Sequence, residues 1–110
     1  MDLSATLAAT GDDPVEFSFT VTNRSDAAVE LTFPTSQRGD VRVLPHDADE
    51  PVWEWSDGRM FAQALEEQTL AGGEDLELSF EWESPPPGRY RAIARLTADH
   101  DASARTQFTV

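Results

Sequence analysis

The run Trp53-Glu54-Trp55-Ser56-Asp57-Gly58-Arg59-Met60-Phe61 holds the densest recognition chemistry in the chain. Two of the three tryptophans stand there, two residues apart. On a strand, alternate residues share a face, so Trp53 and Trp55 point the same way. A Ser-Asp-Gly turn follows at Ser56, Asp57 and Gly58, then Arg59, Met60 and Phe61. Aromatics on both sides of a turn can anchor a stiff loop that offers Arg59 or Met60 to a protein partner. The same residues also fit a purely structural reading, with both tryptophans plugging a core and the turn closing a hairpin. A second candidate patch is Arg91, Ile93 and Arg95, which alternate along one strand face. They can dock an acidic partner or a second copy. They can equally pair with carboxylates on neighbouring strands, worth about 0.2–1 kcal/mol a pair.

Catalytic chemistry finds little support. Only two histidines occur, His46 and His100. A Ser-His-Asp mechanism needs three groups in convergent geometry, and both histidines sit in polar, turn-like stretches. No Gly-x-Ser-x-Gly elbow, phosphate loop or dinucleotide fingerprint is present. His46 lies near Asp47, Asp49 and Glu50, and His100 between Asp99 and Asp101. Oxygen-rich clusters suit calcium or magnesium, and His with carboxylates can hold zinc. Neither loop has the spacing of a calcium hand. The sequence therefore implies no catalytic residue, no metal and no cofactor.

Charge bounds the partners. There are 21 acidic residues against 8 basic ones, a formal charge of −13, and all basic residues are Arg. Nucleic-acid binding needs clustered Lys or Arg on a basic surface, so nucleic acid is excluded as a partner. The acidic residues are spread along the chain, which resembles proteins of salt-loving organisms. Self-repulsion of this size opposes compaction in dilute buffer. At molar salt the Debye length falls to about 3 Å and screens it. Cysteine is absent, so disulfide and thiolate chemistry are unavailable. No apolar run approaches a membrane span, and Met1-Asp2-Leu3 lacks the features of a signal peptide. A cytoplasmic location is expected, with no membrane partner and a monomer or weak dimer.

The elements that must position these residues are strands. The length suits one domain over residues 1–110. Val15, Phe17, Phe19 and Val21 alternate with polar residues, as do Val29, Leu31 and Phe33. Gly39 opens a strand with Val41 and Val43 on one face, and Val52 to Trp55 forms a short one. Leu76, Leu78, Phe80 and Trp82 give the cleanest alternation, and Tyr90, Ala92, Ala94 and Leu96 another. Phe108 and Val110 share a face in a last strand from Thr106. Leu3, Ala5 and Leu7 suggest a first. Met60 to Glu67 is ambiguous: Phe61, Gln63 and Leu65 fit a strand, Phe61 and Leu65 also fit one or two helical turns, and an extended or irregular crossing is favoured. Seven to nine short strands with turns between them predict an all-β, immunoglobulin-like antiparallel β-sandwich. Pro85-Pro86-Pro87-Gly88 before Tyr90 is a rigid corner, where a tyrosine hydroxyl can tie back to backbone.

In order, several landmarks resemble one family. They are Phe17, Phe19, Val21 and Asn23; Val29, Leu31 and Phe33; and the Trp53 to Leu65 block with Ser56, Gly58, Met60, Phe61 and Gln63. Leu70-Ala71-Gly72-Gly73-Glu74, Trp82 and Pro87-Gly88-Arg89-Tyr90 complete the set. This pattern is similar to the intracellular proteinase inhibitor family typified by the inhibitor of Bacillus subtilis. It spans residues 15 to about 98. Gly72 stands where a proline is common, and the surface is more acidic. The resemblance implies a cytoplasmic β-sandwich that binds and inhibits a serine protease of the subtilisin class. The alternative is a non-inhibitory interaction or structural module, using a strand edge for β-augmentation.

Overall fold

The computed structural model describes residues 3–110, which form nine strands and no helix among the described residues. They are β1 (Leu3–Thr10), β2 (Val15–Asn23), β3 (Val29–Phe33), β4 (Gly39–Pro45), β5 (Trp53–Glu54), β6 (Glu66–Leu70), β7 (Asp75–Trp82), β8 (Arg89–Leu96) and β9 (Ser103–Thr109). All pairings are antiparallel. One sheet has the order β1-β2-β7, the other β5-β4-β8-β9, and β3 pairs with β6 in a separate ladder.

Alternation in the sequence becomes inside and outside in the fold. Val15, Phe17, Phe19 and Val21 of β2 are fully buried, opposite Trp82, Phe80, Leu78 and Leu76 of β7. Val41 and Val43 of β4 and Ala92 and Ala94 of β8 supply the facing wall. The two sheets meet through aromatics. The Phe17 and Phe108 rings lie 5.5 Å apart edge to face, and Trp82 meets Tyr90 at 5.1 Å. Without disulfides, cohesion rests on such burial, about 1.5–3 kcal/mol for each large apolar side chain. This is the all-β, immunoglobulin-like antiparallel sandwich that the alternation predicts.

Two polar residues pin the corners. Asn23 is fully buried, and its Nδ2 donates to the carbonyls of Ala27 and Leu70 at 2.8 and 3.0 Å. Its Oδ1 accepts from the Ser25 amide and hydroxyl. One side chain thus holds the end of β2, the turn after it and the end of β6. At the proline corner, the Tyr90 hydroxyl donates to the Pro86 carbonyl at 2.6 Å, the tie-back expected there.

Strand boundaries differ from the sequence reading at three places. β5 is shorter than Val52 to Trp55, although the Val52 and Trp55 amides still donate to the Val43 and Val41 carbonyls. β9 begins three residues earlier than Thr106. β6 starts at Glu66, inside the stretch read as an irregular crossing. Its residue types show no apolar alternation, since four of the five are polar and only Leu70 is deeply buried, and backbone pairing to β3 makes the strand. Residues 59–65 have no regular structure.

Candidate functional site

β5 lies at the edge of the four-stranded sheet, and the loop leaves from its end. Both tryptophans turn inward and are half-buried. Trp53 stacks between Phe17 at 6.0 Å and Trp82 at 5.5 Å, with interplanar angles of 21° and 22°. Trp55 meets Phe80 edge to face at 4.9 Å and touches Phe61 at 5.8 Å. They are packing residues, and Trp55 also forms the floor on which the loop is built.

The first foot of the loop is held by Asp40, a carboxylate only 6% exposed. Its Oδ1 accepts from the Ser56 amide at 3.0 Å and the Val41 amide at 2.9 Å. Its Oδ2 accepts from the Ser56 hydroxyl at 2.6 Å, and Arg95 stands 3.9 Å away. Hydrogen bonds to an ionised acceptor are short and strong. The turn then closes on itself, with the Asp57 amide donating to Glu54 O and the Arg59 amide to Ser56 O, both at 3.1 Å. Gly58 has φ +77°, a conformation other residues adopt at a cost.

Arg59 does not reach outward. Its Nε donates to the Trp55 carbonyl at 2.7 Å, and its guanidinium lies 4.3 Å from the centre of the Trp55 ring. A cation over an indole face contributes about 0.5–1 kcal/mol at an exposed site. Of the two residues the sequence offers to a partner, Arg59 thus stiffens the loop while Met60 points into solvent, 98% exposed. The second foot follows at once. Phe61 packs on Trp55, the Ala62 amide donates to Ser36 Oγ at 2.8 Å, and the Ser36 amide donates to the Ala62 carbonyl at 3.0 Å. The tip, Asp57 to Met60, is carried between two clamped ends. Beyond it Leu65 is also largely exposed.

Nothing in the sequence singles out Asp40 or Ser36. Asp40 alternates with Val41 like any solvent-facing strand residue, and only the packing of β5 beside β4 brings Ser56 to it. No local signal marks Ser36.

Arg91, Ile93 and Arg95 stand on the outer face of the four-stranded sheet, away from the core. Arg91 donates to the Ala48 carbonyl at 2.7 Å and pairs with Asp49 at 3.3 Å. Among the described residues, no three His, Asp or Glu side chains converge as a metal would require. In the second acidic loop, Asp99 Oδ1 accepts from the Thr32 amide at 2.9 Å. His100 Nε2 lies 3.0 Å from the Glu30 carbonyl, which can only accept. Both residues tie the β8–β9 loop to β3.

Residues 2–100 match the family model BsuPI, described as intracellular proteinase inhibitor. The chain belongs to the intracellular proteinase inhibitor family. The match covers the clamped loop and both of its feet. No curated protein matches the chain significantly. Solved structures show the same fold at low identity. The CARDB domain of the PF1109 protein from Pyrococcus furiosus, solved with di-metal ions, aligns with TM-score 0.54 and 17% identity over 99% of this chain and 92% of that one. A beta-glucosidase from Kluyveromyces marxianus, in complex with glucose, aligns at 0.57 and 16% over 99% of this chain but only 14% of the enzyme. One from Listeria innocua, also with glucose, gives 0.51 and 18%, again over 99% of this chain and 16% of the enzyme. At these identities the likeness is one of fold. Membership in an inhibitor family implies a protein partner such as a protease.

Proposed function

We propose that this chain is a cytoplasmic inhibitor of a subtilisin-like serine protease, acting as one domain and by binding rather than by catalysis. Asp57 to Met60 enters the enzyme's cleft. The observation that carries this reading is Met60, fully exposed on a loop whose neighbours on both sides are fastened to the sandwich. A specificity pocket takes an exposed apolar side chain, and stiffness before binding spares the entropy of ordering. The clamps also oppose turnover. Were the bond after Met60 cut, Trp55 and Ser56 would keep one end in place, and Phe61 and Ala62 the other. The new amine would stay beside the acyl group and favour resynthesis.

The test is titration of the folded protein into subtilisin at high salt. Near-stoichiometric loss of activity is expected, and Met60→Glu should abolish it without unfolding the domain. Ordinary cleavage of the wild-type domain, or inhibition unchanged by Met60→Glu, would overturn the assignment of the loop.

A further inference from the structure

Half of the chain's arginines gather on one surface. The register places Arg42 of β4, Ile93 of β8 and Arg105 of β9 in a single row across the outer face. Arg91 and Arg95 lie two residues either side of Ile93 on β8. Four guanidinium-bearing residues therefore surround one half-exposed apolar side chain. Strand spacing puts the Arg42 and Arg105 backbones roughly 10 Å apart, and Arg91 and Arg95 roughly 13 Å apart. On a protein of charge −13 with eight basic residues, this concentration is the opposite of what an evenly acidic surface provides.

Internal contacts take up Arg91, which donates to the Ala48 carbonyl and pairs with Asp49, but leave the other three largely available. Arg95 reaches Asp40 only at 3.9 Å, and Asp40 is already engaged with Ser56 and Val41. Among the described residues Arg42 and Arg105 make no ion pair within 4.0 Å, although Glu54 is directly opposite Arg42 in the ladder. Arg91 Nε is buried without a hydrogen-bond partner, beside a shallow depression lined by Arg91, Ile93, Arg105 and Gln107. A buried donor left unpaired costs free energy.

We infer that this face docks an acidic polypeptide segment of a partner protein, with carboxylates on Arg42, Arg95 and Arg105 and an apolar side chain over Ile93. Carboxylates flanking an apolar centre match the arrangement. A nucleic-acid backbone does not, because the surrounding field of the acidic domain opposes a run of phosphates. Two copies meeting face to face would set arginine against arginine. The proposal does not rest on the inhibitory reading of the loop.

The probe is a synthetic glutamate-rich peptide with a central leucine, titrated into isotope-labelled protein near physiological salt and followed by NMR. Amide shifts should centre on Arg42, Ile93 and Arg105. The Kd should weaken about tenfold or more in the Arg42→Glu, Arg105→Glu double variant. Both side chains are exposed, and amide spectra of the variant report its fold directly. Met60→Ala should leave the Kd unchanged, which separates this surface from the loop. Shifts confined to other residues, or unchanged affinity in the folded double variant, would overturn the proposal. Self-association in sedimentation that the same variant abolishes would give the face to the acidic surface of a second copy, and would also overturn it.

Discussion

Removing the Asp40 carboxylate should release the first foot of the loop and leave the sandwich standing. Asp40→Ala deletes the acceptor for two amides and one hydroxyl. A hydrogen bond to an ionised group contributes about 1.5–3 kcal/mol. Ser56 is only partly buried, so water replaces some of what is lost, and the sum falls to about 2–3 kcal/mol. For a domain of this length that lowers Tm by about 4 °C per kcal/mol, or about 8–12 °C. Asp40→Asn keeps an acceptor for the two amides and should cost only about 1 kcal/mol. Arg95 is largely exposed, so Arg95→Gln should change stability by about 1 kcal/mol at most. The decisive measurement is a double-mutant cycle with Ser56→Ala by urea unfolding, joined to hydrogen exchange at the Ser56 amide. The cycle should show coupling of about 1–2 kcal/mol, and the amide should lose protection in Asp40→Ala. Additivity within about 0.5 kcal/mol, with protection retained, would refute the clamp.

Other outcomes follow from neighbouring features. Trp53→Ala opens a gap between Phe17 and Trp82 and should cost about 3–5 kcal/mol, readable as a lower urea midpoint; Met60→Ala should stay within about 0.5 kcal/mol of wild type. Gly58→Ala meets no atom within 4 Å, yet φ +77° makes it about 1–2 kcal/mol less stable by the same measurement. Glu16 lies directly opposite Glu81, so Glu81→Arg should raise stability by about 0.2–1 kcal/mol in dilute buffer. That gain should shrink toward molar salt, over a range in which the Tm of the wild type itself climbs.

What the sequence reveals is whatever repeats along one strand. Phe17, Phe19 and Val21, or Leu76, Phe80 and Trp82, declare their buried face by alternation alone, because a strand has only two sides. The shared inward direction of Trp53 and Trp55 is legible for the same reason. The clamps are not. Asp40 and Ser56 are sixteen residues apart, and their meeting depends on how β5 registers against β4. Arg59 reads as a free cation until the turn at Gly58 carries it back over Trp55. Arg42 and Arg105 look like scattered surface charges, and only the ladders through β8 show that they flank Ile93. β6 escapes notice because backbone pairing sustains it with a single deeply buried residue, Leu70.

The free space around Gly58 and Met60 has an evolutionary consequence. Stability resides in the feet of the loop, while the side chains at Asp57 and Met60 touch little of the sandwich. Substitutions at those two positions therefore escape the usual penalty of core mutation. On the proposed function a lineage can exchange them to follow a changing target, and a library randomised there should yield folded variants at high frequency. On the proposed function, the domain is a fixed handle with a replaceable bit.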